Sequence, residues 1–193
     1  MENKLFRFTD IFKETLWGGH RILPFKGLEA DGRLIGESWE LSGIPGNESV
    51  VAGGAYGGLT LTQLAERGGS ALLGEENFKR FGTRFPLLVK FIDAAQPLSV
   101  QVHPDDELAQ RRHGCPGKTE MWYVIKAEKG AGLYSGFSEQ IDAEEYVKRP
   151  TRPCPKCSGA MTCVRETCII CRPDGYTVSV RAVLSARYSK AAT

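Results

Sequence analysis

Ser99, Gln101 and His103, followed by Glu120, are the side chains of this 193-residue chain best suited by type and spacing to chemistry. Residues two apart on a β-strand face the same way, so Ser99, Gln101 and His103 share one face while Val100 and Val102 share the other. One face is polar and the other core-like. In the mouth of a β-barrel such a polar face can hold a cation. Gln101 would supply an amide oxygen, His103 an imidazole nitrogen, and Glu120, closing the loop Lys118-Thr119-Glu120, a carboxylate oxygen to a divalent metal. The same pattern also fits a half-exposed strand with its polar side in water and a glutamate at the start of the next strand. Spacing alone does not separate the two.

The other candidate residues read as structural. His20 follows two glycines and reads as a turn or packing residue, and His113 sits in the charged, solvated loop Arg111-Arg112-His113. Cys115 is incidental. Trp17, Trp39 and Trp122 are core anchors more readily than sugar-stacking platforms.

The elements that must position the polar face are short. Turn signals crowd the first sixty residues, at Gly18-Gly19, Asp31-Gly32, Pro45-Gly46-Asn47, Gly53-Gly54 and Gly57-Gly58, and favour short strands such as Ser38 to Leu41 between them. Helical periodicity is expected in Thr60 to Arg67, with Leu61, Leu64 and Ala65 on one side, and in Glu75 to Phe81. The densest strand signal runs from Phe85 to His103, with a second strand starting after Pro97. Asp105 is placed to cap a helix through Arg112, Met121 to Lys126 reads as a strand, and Asp142 is placed to cap Ala143 to Arg149. The predicted class is mainly β with small peripheral helices.

Charge and cysteine divide the chain near Pro150. Residues 1–150 hold 18 Lys and Arg against 21 Asp and Glu, whereas residues 151–193 hold 7 against 2, so the tail is basic although the whole chain is only +2. Five of the six cysteines, Cys154, Cys157, Cys163, Cys168 and Cys171, also lie in the tail. Two Cys-x-x-Cys pairs ten residues apart in basic sequence would fit a small zinc ribbon that binds nucleic acid. The first dozen residues intersperse charges among apolar side chains, and no apolar run approaches the roughly 20 residues of a membrane span, so a cytoplasmic protein with no membrane partner is expected.

The stretch Pro97-Leu-Ser-Val-Gln-Val-His-Pro-Asp-Asp-Glu107, followed by Gly117-Lys-Thr-Glu-Met-Trp-Tyr-Val-Ile125, closely resembles the signature of the type I mannose-6-phosphate isomerases. Leu16-Trp-Gly-Gly-His20, Gly36-Glu-Ser-Trp-Glu-Leu-Ser42 and Phe85-Pro-Leu-Leu-Val-Lys-Phe91 extend the resemblance over nearly all of residues 1–149. It implies a cupin-type jelly-roll barrel, with Gln101, His103 and Glu120 as ligands to a metal that is usually zinc. It also implies interconversion of mannose 6-phosphate and fructose 6-phosphate, in which a proton leaves C2 and returns at C1 through an enediol. Lys118 then belongs to the active-site motif and serves either the substrate phosphate or the proton transfer. Ser99 either hydrogen-bonds substrate or is a structural hydroxyl.

The resemblance also bears on the tail. If each native codon combines the third base of one tail residue with the first two bases of the next, Met161 to Thr162 must encode Asp, and Tyr176 to Thr177 allows only His or Tyr. From Val164 to Thr177 the chain is then compatible with Lys-Gly-Asp-Val-Tyr-His-Leu-Pro-Ala-Gly-Arg-Ile-His, which resembles the next family motif and ends in the family's remaining metal-ligand histidine. One lost base, or two gained, near codon 149 would produce this. Residues 1–149 are accordingly expected to be the N-terminal part of the isomerase domain. Residues 150–193 are expected to be an aberrant, out-of-frame tail that is not natively folded, leaving the barrel incomplete at its C-terminal side. With the fourth ligand missing, the expected function is an impaired or inactive isomerase acting on a phosphosugar, with no nucleic-acid partner. The alternatives are a non-catalytic sugar- or metal-binding cupin remnant and, less favoured, the zinc-ribbon module. Oligomeric state is left open.

Overall fold

The computed structural model describes residues 5–98, 103–128, 131–134, 160–162, 168–171 and 178–186. Its first three strands form an antiparallel ladder in which β1 (Ile11–Gly19) pairs with β2 (Ile35–Ser42), and β2 pairs with β3 (Leu88–Ala94). Further along come β4 (Thr119–Val124), β5 (Gly132–Tyr134), β6 (Ala160–Thr162), β7 (Cys168–Cys171) and β8 (Val178–Ala186). The six-stranded sheet has the order β1-β2-β3-β8-β4-β7, while β5 and β6 pair separately. β8 runs parallel to both its neighbours, β3 and β4. Among the described strands, β4 therefore joins the β1-β2-β3 ladder only through β8.

One face of the ladder is covered by the single helical turn α1 (Ile22–Phe25), which buries Ile22 and Leu23 against Ile35, with Phe12, Phe91 and Ile125 packed around them. Ile22 and Ile35 are at most 1% exposed. Burying each contributes roughly 1.5–3 kcal/mol. Phe25 meets Phe91 edge-on, with ring centroids 5.1 Å apart. Four residues that include Pro24 have no independent helical stability, so α1 exists because this face needs a cover. That is why the local sequence gave no sign of it.

Helix α2 (Leu61–Leu73) starts at a capping box, in which the Thr60 hydroxyl accepts from Gln63 N and the Gln63 side chain accepts from Thr60 N. Leu61, Leu64 and Ala65 are its buried residues, on the side expected from their spacing. Gly69, at φ 48°, interrupts the helix. α3 (Glu75–Phe81) buries none of its residues and is peripheral, with Glu75 and Glu76 in its first turn and Lys79 and Arg80 in its last.

The structure adjusts some boundaries. β4 begins two residues before Met121 and ends at Val124, short of Lys126. The helix after Asp105, α4 (Asp106–His113), includes His113, which is an exposed helix terminus and not a loop residue. Arg111, Arg112 and His113 suit the negative end of that helix, and Gly114, at φ 64°, terminates it. The strand expected after Pro97 falls mostly, and the helix expected from Ala143 to Arg149 entirely, outside the described residues. No described helix is long and apolar enough to cross a membrane.

Candidate metal and substrate site

Glu120, the second residue of β4, is 6% exposed, and its carboxylate is surrounded by three side chains. His103 Nε2 lies 3.1 Å from Oε1, Lys118 Nζ lies 2.9 Å from the same oxygen, and Trp122 Nε1 donates to Oε2 at 3.2 Å. A charge so removed from water requires such partners. Trp122 also packs against buried Val124 and Ala131. It is thus more than the core anchor expected from the sequence, because its indole N–H fixes one oxygen of the site carboxylate.

The approach of β4 to His103 is built by the backbone between them. Asp105 caps α4 by accepting from Leu108 N at 2.7 Å, which holds the segment just after His103. Gly117 N donates to the Asp106 carboxylate at 2.8 Å, and Lys118 N donates to Pro104 O at 3.3 Å. Gly117 lies so close to this segment that a Cβ there would stand 2.5 Å from Asp105 C and 2.7 Å from Pro104 O. Only glycine permits that approach, and it carries Lys118 and Glu120 to His103.

The structure therefore brings His103, Lys118 and Glu120 together, whereas Ser99 and Gln101 lie outside the described residues. His20 and His113 are exposed, and His20 Nδ1 is 3.0 Å from Arg33 O. Cys115 is an exposed thiol. Among the described residues no third His, Cys, Asp or Glu joins His103 and Glu120. An imidazole nitrogen beside a carboxylate fits the donor chemistry of zinc or a related divalent ion, with two of its protein positions accounted for.

A second cluster was not anticipated. Lys90, 4% exposed, donates to Glu37 Oε1 at 2.5 Å, and Trp39 Nε1 donates to Glu37 Oε2 at 2.7 Å. The Trp39 ring has Lys13 Nζ 4.9 Å and Lys90 Nζ 5.7 Å from its centroid. Register relates this cluster to the first, since Lys90 pairs with position 181 of β8, and position 181 pairs with Trp122. Lys90 and Trp122 stand in one row, so Lys90 and Glu120 share a face of the sheet. The signal available in the sequence was a lysine inside the apolar run Leu87 to Ile92.

A mainly β fold in which a histidine meets the carboxylate of a sheet strand fits a cupin-like architecture. Residues 5–130 match the phosphomannose isomerase type I catalytic domain. The chain belongs to the type I phosphomannose isomerases. It is 42% identical over 138 residues to the mannose-6-phosphate isomerase ManA of Bacillus subtilis, covering 71% of this chain and 42% of that protein. It is 39% identical over 148 residues to the mannose-6-phosphate isomerase of Streptococcus mutans, covering 75% of this chain and 44% of that protein. Its fold matches the crystal structure of the mannose 6-phosphate isomerase from Bacillus subtilis with a TM-score of 0.73 and 30% identity, covering 86% of this chain and 52% of that one. The chain thus spans less than half the length of these two curated relatives.

Proposed function

We propose that this chain carries part of the active site of a mannose-6-phosphate isomerase, acting on mannose 6-phosphate and fructose 6-phosphate, with Gln101, His103 and Glu120 as ligands to a zinc ion. The observation that carries this reading is the buried Glu120 carboxylate with His103 Nε2 3.1 Å and Lys118 Nζ 2.9 Å from a single oxygen. When bound, zinc would polarise the substrate oxygens on C1 and C2, the two carbons between which the proton moves. His103, from the segment before α4, and Glu120 of β4 hold their donor atoms together, and Trp122 keeps the carboxylate from rotating. Lys118, partly exposed beside them, serves either the substrate phosphate or the proton transfer. Ser99 would either hydrogen-bond the sugar or serve as a structural hydroxyl. A phosphosugar anion does not cross membranes unaided, which favours a cytoplasmic location.

We further propose that the barrel is a jelly roll and that residues 150–193 are read out of frame, which removes a fourth, histidine ligand. Support comes from the codon-by-codon compatibility of Val164 to Thr177 with a family motif and from alignments to the Bacillus subtilis and Streptococcus mutans relatives that cover 71% and 75% of this chain. Backbone ladders ask little of side-chain identity, so a β-prone run such as Val178–Ala186 pairs with its neighbours whatever its coding origin. Losing a supporting partner commonly costs about 10- to 100-fold in metal affinity or activity, and loss of a ligand should cost at least as much. The second reading, phosphosugar binding without turnover, is favoured because neither His20 nor His113, both exposed, joins His103 and Glu120 in a ligand cluster among the described residues. A zinc ribbon is disfavoured by the backbone of Cys168–Cys171, which is strand and not a tight chelating turn.

The test is an isomerisation assay of the sequence-verified chain beside Glu120→Gln, with the gene resequenced across codons 140–200. Weak turnover abolished by Glu120→Gln supports the reading. Turnover unaffected by that change rejects it, and an in-frame sequence rejects the shifted tail.

A further inference from the structure

We propose that Lys118 and a divalent cation compete for Glu120 Oε1, so that metal binding displaces the Lys118 ammonium toward an anionic ligand. This rests on the metal-site reading above. Lys118 Nζ, at 2.9 Å, lies on the same oxygen that His103 approaches at 3.1 Å, while the other oxygen is engaged by the Trp122 indole. A cation shared by His103 and Glu120 must therefore enter on Oε1, where an ammonium and a divalent ion repel each other. The groups differ in which can yield. The Glu120 side chain is 8% exposed and tethered by Trp122, whereas Lys118 is 35% exposed on a flexible four-carbon stem. The lysine moves. Loading the site with metal thus also frees a positive charge beside it, and an anion that draws Lys118 away favours metal binding in return.

Manganese(II) is the probe, because carboxylate, amide and imidazole groups accept it while the tail thiols do not favour it. Its dissociation constant is measured from the loss of the free-ion electron paramagnetic resonance signal in the full chain and in Lys118→Met, Lys118→Arg, Lys126→Met and Glu120→Gln. Competition by one partly exposed ion pair is expected to weaken binding by about two- to fivefold. Lys118→Met should therefore bind tighter than wild type by that factor, while Lys118→Arg, which keeps the charge, stays near wild type. Lys126→Met, an exposed lysine beyond the end of β4, controls for net charge and should not change the affinity. Unchanged or weaker binding by Lys118→Met, with binding still lost in Glu120→Gln, overturns the competition and leaves the metal site standing. Binding that survives Glu120→Gln overturns the metal-site reading and the competition with it.

Discussion

Gly117→Ala is expected to disrupt the site through its backbone support. The added Cβ would stand 2.5 Å from Asp105 C, 2.6 Å from Asp106 N and 2.7 Å from Pro104 O, whereas ordinary contact begins near 3.4 Å. All three are main-chain atoms, held by the Asp105 cap at the start of α4, and none can rotate aside. The loop must retreat by about 0.9 Å to relieve the nearest of these contacts, an estimate for overpacking against a fixed wall. Carried through to β4, that retreat opens the 3.1 Å His103–Glu120 contact toward 4 Å and stretches the 2.8 Å bond from Gly117 N to Asp106. Overpacking costs about 1–3 kcal/mol and the lost hydrogen bond about 1 kcal/mol more. With a urea m-value of about 2 kcal/mol/M, the midpoint should fall by about 1–2 M. Manganese affinity, measured in parallel under native conditions, should fall at least tenfold, since ligands must be held within about 0.5 Å. Gly53→Ala is the control, because Gly53 is extended at φ 174° with open space around it. The reasoning is refuted if Gly117→Ala keeps both the wild-type midpoint and the wild-type metal affinity.

Lys90→Met should destabilise the chain by about 3–5 kcal/mol, because it leaves the Glu37 carboxylate without its buried cationic partner; urea denaturation checks this, and a loss below 1 kcal/mol would contradict it. Asp105→Ala removes the α4 cap and should cost about 1 kcal/mol by the same assay. At Lys26, burial pulls the ammonium down, but hydrogen bonds and charge attraction from Asp10 and Glu40 outweigh it and hold it above its ordinary 10.5. A raised folded-state value means that the pair's contribution is fully present below pH 10.5 and lost as pH climbs through the folded-state value. The stability gap between wild type and Lys26→Met should therefore shrink above pH 10.5; a gap that stays constant or widens would contradict the pairing.

Where a local rule decided the outcome, the sequence was readable. Helices α2 and α4 begin after Thr60 and Asp105 because those side chains cap their own helices, and α3 keeps the bounds Glu75–Phe81 expected from its periodicity. Where distant partners decided it, the sequence was silent. Nothing near Ile22–Phe25 calls for a helical turn except the apolar sheet face that it covers. The Lys90–Glu37 ion pair spans 53 residues, and only the antiparallel register of β2 and β3 brings its members together. At the site, two short motifs placed His103 and Glu120 within reach of a common ligand. The close approach at Gly117 and the Trp122 hydrogen bond depend on packing between those motifs, which no residue pattern announces.

X-ray absorption at the zinc edge on the zinc-loaded chain tests the isomerase site most directly. A first shell of nitrogen and oxygen at about 2.0–2.2 Å, reduced by Glu120→Gln, is the expected result, with no sulfur shell near 2.3 Å. Zinc bound instead in a sulfur shell, indifferent to Glu120→Gln, would place the metal on the tail cysteines and contradict the assignment of His103 and Glu120.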